Sequence, residues 1–360
     1  MQRRKFLRLG LAATAATIAA PALARDKAAV RYRSNPELPT LRPAAEWPGT
    51  PQDADGKFFN PDFPDQRPGR GVLKWMAQRN PQRQQKKTDP YRVPVLKTDA
   101  WLTGPADVVV WLGHASFFIR LNGVAVLIDP VFGRLPTGKR LTELPLDPAR
   151  FTVLDYILVS HAHYDHCDKA SLRQLHAQNP KAPLLCGLGL DKLLRRWLPG
   201  ATVQPAGWYQ QYATGERLKI SFLPTRHWAN RGLADVNETL WGAFVLQGGG
   251  RQVYFGGDSG YGPHGQQVAK LFPGLDVALL GAGAYAPRGF MHPNHQDPAQ
   301  AVQAFRDCGA KRLVPMHFGT FDLSDEPPGE PAALLRSEET AGRLRPGELA
   351  LLRIGEALGF

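Results

Sequence analysis

Cysteine is scarce in this 360-residue chain. There are three, Cys167, Cys186 and Cys308, and no Cys-x-x-Cys pair. So sparse and odd a set supplies neither a disulfide framework nor a thiolate zinc knuckle. Long apolar runs are also missing; the one at the N-terminus is too short and Ala-rich to read as a membrane span. No internal repeat is visible. The glycines at 248–250 and 256–257 lack the spacing of a phosphate cradle and read as turns. The basic N-terminal stretch carries no stacking motif for single-stranded nucleic acid.

What is present is 43% hydrophobic residues, enough for one large domain or two modest ones. The net charge of +12 is lopsided. Residues 1–97 hold nineteen Lys and Arg against eight Asp and Glu, and the remainder holds twenty-five against twenty-four. Basicity therefore belongs to the N-terminal part, densest at Arg79, Arg83, Lys86, Lys87 and Arg92. Anionic lipid and nucleic acid are both partners by charge, and a solvated basic segment is the plainer reading.

Residues 1–24 read as a twin-arginine export signal. Arg3 and Arg4 precede Lys5, Phe6 and Leu7, an Ala-rich run reaches Ala20, and Ala22, Leu23 and Ala24 have the small-x-small form of a cleavage site. The expected location is the periplasm. Without a cysteine the signal indicates no lipid anchor. Residues 25–56, rich in Pro, Arg and Ala, read as an extended arm or linker. Residues 57–360 read as the main domain, with 57–100 as its N-terminal extension. Within that extension Gly71–Arg79 has the spacing of a short amphipathic helix.

From about residue 101 the pattern changes. Val108–Leu112, Ser116–Leu121 and Val124–Ile128 read as strands, with Asn122 and Gly123 as a hairpin turn. Tyr156–Val159 enters the densest polar motif of the chain. Asp168 caps a helix to about Gln178. Pro183–Cys186 and Ala201–Gln204 read as strands around a helix near Asp191–Leu198. Further strands are expected at Lys219–Leu223, Trp241–Leu246, Gln252–Phe255 and Val277–Leu280. A helix opens at Asp297 and Pro298 and runs to Cys308. Arg312–Pro315 and Leu349–Ile354 read as late strands. The order suggests two sheets sandwiched between helices.

His161, His163, Asp165 and His166 place four metal ligands on one turn after a buried strand. Imidazole and carboxylate suit zinc, and also iron or manganese. Buried as packing, each would need its own polar partner. His227, Asp258 and His317 each follow an apolar run, at the loop end of a strand where sites gather. Two ions need six or seven ligands and one shared carboxylate. His161, His163 and His227 could hold one ion, Asp165, His166 and His317 the other, and Asp258 could bridge them and orient a hydroxide. His295 is balanced between substrate contact and a structural hydrogen bond. Tyr164 could pack beside the ions, His114 and Asp129 read as supports behind the ligands, and Cys167 reads as a small buried residue.

These residues also carry a resemblance. The His-x-His-x-Asp-His box followed by a distant His, Asp and His resembles the metallo-β-lactamase superfamily. Within it the chain resembles the N-acylphosphatidylethanolamine-hydrolysing phospholipase D family. The stretches are Trp111–Ala115, Ile128–Pro130, Ser160–His166, Gly257–Tyr261, Gly283–Arg288, His295–Pro298 and His317–Phe321. Phe58–Pro61, Val72–Trp75 and Pro94–Lys97 are similar as well, so the likeness covers roughly 57–325. It implies a four-layer αβ/βα sandwich, a dinuclear zinc site with the seven ligands above, and Tyr164 and His295 on the substrate phosphodiester. The implied substrate is a membrane phospholipid and the implied products are phosphatidic acid and an N-acylethanolamine. Peripheral membrane contact would come from the basic 25–97 region. A lactonase on the same fold is the runner-up, and nucleic acid is disfavoured as a partner.

A reporter fused behind residues 1–30 is expected to reach the periplasm of a bacterium with twin-arginine export. Changing Arg3 and Arg4 together to Lys should retain it in the cytoplasm. Reporter activity in separated fractions checks this, and export that survives the double change counts against the signal.

Overall fold

A computed structural model describes residues 30–64, 75, 77–136, 138–232 and 234–360. The signal 1–24 and most of the expected helix Gly71–Arg79 lie outside the described residues. Short elements come first: β1 (Arg31–Arg33) pairs antiparallel with β2 (Thr50–Gln52), and α1 (Arg83–Thr88) follows. The stretch read as an extended arm or linker is, over its described part, docked on the fold. Leu38 enters the main core, Thr40 bridges to Gln210, and Thr50 Oγ1 accepts the Trp208 N–H at 2.8 Å. Aperiodic segments can dock this way through backbone and amide groups, which leave no hydrophobic period in the sequence.

The first sheet starts as an antiparallel meander of β3 (Val108–Gly113), β4 (Ser116–Leu121) and β5 (Val124–Ile128). Asn122 and Gly123, with φ of 52° and 71°, make the turn between β4 and β5 that a hairpin of this length requires. Strands β6 (Tyr156–Val159), β7 (Leu184–Gly187) and β8 (Val203–Ala206) extend the sheet in parallel. Their crossovers contain α2 (Lys169–Gln178) and α3 (Leu190–Trp197). Asp168 caps α2 by accepting the Ser171 N–H.

The second sheet comprises β9 (Gln210–Gln211), β10 (Lys219–Leu223), β11 (Ala243–Gly248) and β12 (Arg251–Phe255), all antiparallel. After α4 (His264–Leu271), β13 (Val277–Gly281) joins β12 in parallel. The short α5 (Arg288–Met291) and α6 (Pro298–Cys308) precede β14 (Arg312–Met316), which joins β13 in parallel. Helix α7 (Glu330–Thr340) and β15 (Ala357–Gly359) close the chain, β15 returning to pair with β3. The orders are β15-β3-β4-β5-β6-β7-β8 and β14-β13-β12-β11-β10-β9.

Side-chain alternation sorts the core. Val109, Trp111, Phe117, Ile119, Val126 and Leu158 point into the large core shared with the second sheet. Their neighbours Val110, Leu112, Phe118, Leu127 and Val159 point the other way, onto Leu172 and Leu175 of α2 and Leu190 and Leu194 of α3. Ala301, Phe305 and Cys308 of α6 cover the outer face of the second sheet. The layers are helix, sheet, sheet, helix, as expected. Among the described residues no helix is long and apolar enough to cross a membrane.

One strand expectation is corrected. Leu349–Ile354 is no strand: it touches its neighbours by single bridges, Leu349 to Leu313 and Ile354 to Val95. The Leu352 N–H turns back to the Ala350 carbonyl, which breaks any ladder. The closing strand lies later, at β15.

Phe244 is fully buried against Phe222 and Phe255 between the sheets. Phe244→Ala should lower the unfolding free energy by about 3–5 kcal/mol. Urea denaturation measures it, and a loss below about 1 kcal/mol would mean that this core collapses around the void.

Candidate metal centre

Five strand ends deliver the polar side chains. Strand β6 ends at Val159 and the chain turns through Ser160–Cys167, closed by Cys167 N–H donating to the His163 carbonyl. His227 follows β10, Asp258 follows β12 and His317 follows β14. Asp129 follows β5 and is fully buried. Its Oδ1 accepts the Ser160 N–H at 2.7 Å, and its Oδ2 accepts the Ser160 hydroxyl at 2.5 Å and lies 2.8 Å from His166 Nδ1. Asp129, His114 and His317 have φ of 44°, 53° and 68°. Such left-handed backbone is uncommon outside glycine and gathers at functional sites.

The seven expected ligands come together as two groups. In the first, His161 Nε2 and His227 Nε2 lie 2.9 and 3.2 Å from His163 Nδ1. Asp258 Oδ2 stands 3.9 Å from His161 Nε2 and 3.7 Å from His227 Nε2. In the second, His166 Nε2 and His317 Nε2 are 3.3 Å apart, and Asp165 Oδ2 is 3.7 and 3.5 Å from them. Asp258 reaches this group too, Oδ2 at 3.2 Å from His166 Nε2 and Oδ1 at 3.2 Å from His317 Nε2. One carboxylate thus serves both.

The donor chemistry fits two ions. The Nε2 atoms of His161 and His227 both close on His163 Nδ1, an arrangement that hydrogen bonding alone satisfies poorly, since a neutral ring has one N–H. Ligand nitrogens about 2.0–2.1 Å from a tetrahedral zinc stand about 3.3 Å from one another, close to the spacing found here. His161, His163, Asp165, His166, His227, Asp258 and His317 would hold the ions.

The electrostatics split the cluster. Burial, with the neighbouring imidazoles adding to it, pushes His161 well below its usual range. Burial likewise takes His227 well down and His163 to about 4, against the pull of Asp258 and Asp165. These rings are neutral and available as ligands. Burial also works against His166 and His317, yet Asp258 and Asp165 raise His166 well up and His317 to about 9. The carboxyls of Asp165 and Asp258, which burial alone would raise, are held well below the carboxylate range by His166 and its neighbours.

Other expected residues sort differently. His114 Nε2 lies 2.9 Å from Asp165 Oδ2, and its backbone N–H donates to Thr320 Oγ1 at 2.7 Å. His295 stands at the cluster, its ring 5.1 Å from that of His317 and its Nδ1 3.9 Å from Asp258 Oδ2. Burial brings it down to about 4, so it is neutral. Tyr164 is 43% exposed and its ring lies under the Arg231 guanidinium at 3.7 Å. Among the described residues no hydrogen bond joins its hydroxyl to the cluster. Cys167 is buried, and burial raises its thiol to about 12, which leaves it inert.

Two contributors escaped the sequence. Trp228 sets its ring 4.7 Å from that of His163; its place beside His227 was the available signal. Arg231 donates from Nη1 to the carbonyls of Ala162 and Cys167, bracing the His box from outside. A residue that works through backbone carbonyls has no motif.

Two mixed sheets lie between helices, with a His/Asp cluster able to hold metal ions at one edge. A family model described as a β-lactamase superfamily domain matches residues 125–318. The chain belongs to the metallo-β-lactamase superfamily. It is 32% identical over 227 residues to N-acyl-phosphatidylethanolamine-hydrolyzing phospholipase D 1 of Caenorhabditis elegans, covering 59% of this chain and 64% of that one. It is 31% identical over 236 residues to the mitochondrial N-acyl-phosphatidylethanolamine-hydrolyzing phospholipase D of Saccharomyces cerevisiae, covering 60% and 48%. The chain thus spans less than two thirds of the length of either relative. The metallo hydrolase Igni18 of Ignicoccus hospitalis shares the fold, with a TM-score of 0.54 at 22% identity over 71% of this chain and 98% of that one.

Asp129 orients His166 and Ser160 together, and loss of such support typically weakens metal binding. Asp129→Asn should reduce zinc affinity about tenfold to hundredfold in a competition titration against a chromophoric chelator. Unchanged affinity would show that the ring is held by packing alone.

Proposed function

We propose that the protein is a phosphodiesterase of phospholipase D type, acting on N-acylphosphatidylethanolamine or a related phospholipid. Water adds at phosphorus, the bond to the N-acylethanolamine oxygen breaks, and phosphatidic acid and the N-acylethanolamine leave. Two bound divalent ions supply Lewis acidity and a water of lowered pKa. Asp258, facing both triads, holds the attacking oxygen in place. Asp165 and the histidine ligands would hold the ions fixed. The observation that carries the reading is His295. It adds a neutral imidazole to a ligand set that is already complete without it. A phosphodiester has oxygens beyond those the ions take, and a neutral donor suits them. The likeness to two N-acylphosphatidylethanolamine-hydrolysing relatives supports the substrate class. Zinc is the proposed metal, with iron or manganese as alternatives in the same donor set.

Tyr164 belongs to the proposal as a substrate contact reached through its exposed position over the box. The exposed Arg79, Arg83, Lys87 and Arg92 would attract an anionic lipid surface. The proposed location is the periplasm, on the strength of the signal at 1–24.

Metal-loaded protein, tested against a panel of phospholipid classes with metal analysis of the same sample, should release phosphatidic acid from N-acylated phosphatidylethanolamine. Removing the ions with a chelator should abolish release. His295→Ala should lower kcat/KM about tenfold to hundredfold with metal content kept. Hydrolysis of a lactone with no lipid turnover would overturn the reading and favour a lactonase.

A further inference from the structure

Arg226 and His227 follow β10, and Gly257 and Asp258 follow β12, so two loops bring ligands to the centre from different strands. Behind them lies a buried histidine that no step above uses. Ser259, next to Asp258, is the hub. Its Oγ accepts the Arg226 N–H at 3.0 Å and donates to the Gly260 carbonyl at 2.7 Å. The Gly260 N–H donates to the Arg226 carbonyl at 2.8 Å. The two loops are therefore tied twice, one residue away from His227 on one side and from Asp258 on the other.

His264, the first residue of α4, completes the hub with Nε2 at 3.0 Å from Ser259 Oγ. A hydroxyl has one hydrogen, and Ser259 gives it to Gly260. With the hydrogen so placed, the contact with His264 is assigned as a donation from the ring. That fixes the Nε2–H tautomer and leaves Nδ1 buried, without a hydrogen-bond partner among the described residues. Burial, reinforced by the charge of Arg226, brings His264 down to about 4, so the ring is neutral under ordinary conditions. A bare buried nitrogen is costly. An apolar ring would fill the space without that cost, so the donor itself has a use.

We propose that His264 is a positioning residue for the metal centre: by donating to Ser259 it clamps the Asp258 loop to the His227 loop and sets the carboxylate where both ligand groups share it. The clamp acts on geometry and touches neither ion nor substrate. The inference rests on the metal-centre reading and is independent of which bond the enzyme cleaves.

The test contains no lipid. Full-length protein stripped of metal is titrated with Zn2+ against a chromophoric chelator, and Co2+ absorption reports the ligand geometry separately. Ser259→Ala and His264→Phe should each weaken zinc binding about tenfold to hundredfold and change the Co2+ spectrum. His264→Gln, whose amide nitrogen can donate from nearly the same point as Nε2, should stay within about threefold of the unmodified protein. His264→Asn, too short to reach Ser259, should follow His264→Phe. The Ser259→Ala, His264→Phe double variant should be no weaker than Ser259→Ala alone, because one residue acts through the other. Unchanged affinity in Ser259→Ala and His264→Phe overturns the clamp. So does a Gln variant that loses as much as Asn, and that contrast stands even if the Phe variant fails to fold.

Discussion

The whole centre hangs on one buried carboxylate that is not itself among the seven ligands. Asp129 lies at the end of β5 and joins the end of β6 to the far side of the His box. Burial raises its pKa, and the contacts with His166 and Ser160 oppose that. A charge kept from water is tolerable only where hydrogen bonds replace the lost solvation. Here the replacements are the Ser160 N–H, the Ser160 hydroxyl and a ring nitrogen of His166. The same bonds that make Asp129 tolerable therefore set the direction of His166. Stability of the first sheet and aim of the ligand are one interaction seen from two sides.

The second sheet repeats the logic with different groups. Asp258 is reached by five imidazoles within 3.9 Å, four from the ends of β6, β10 and β14 and the fifth, His295, from the loop before α6. No one of these rings could be buried beside a lone carboxylate and leave the others unaffected. The cluster is cheap only when complete, which is why its members sit at strand ends that the core holds rigidly. The loops that carry His114, Asp129 and His317 accept left-handed backbone to achieve it. Strain of that kind persists where surrounding packing overrules local preference.

Much of this was legible in the residues. Strands β4, β5 and β10 fall where alternating or continuous apolar runs end in turn signals, and α2 and α6 begin at Asp168 and Asp297, whose side chains cap them. A single polar residue after a buried strand is a strong local signal, and His227, Asp258 and His317 have that form. Contributors without such a form stayed hidden. Helix α1 buries nothing and so shows no period, and α4 starts without a side-chain cap and so lacks a start signal. Leu349–Ile354 looked like a strand because it is apolar; it packs against the core without a partner ladder. Arg231 and His264 act on carbonyls and a hydroxyl far away in sequence, and only the folded chain brings those together.

The docked segment around β1 and β2 has a practical consequence for anyone trimming the gene. Asn35, Leu38 and Thr50 satisfy Gln210, the core and the Trp208 N–H, and β9 is only two residues long at the open edge of its sheet. A recombinant version started at residue 57, as the composition of the chain invites, would bare that edge and the apolar socket of Leu38. Exposed edges of this kind recruit other chains. Such a protein would keep every metal ligand and still be a poor preparation, sticky and prone to precipitate, for reasons remote from its chemistry.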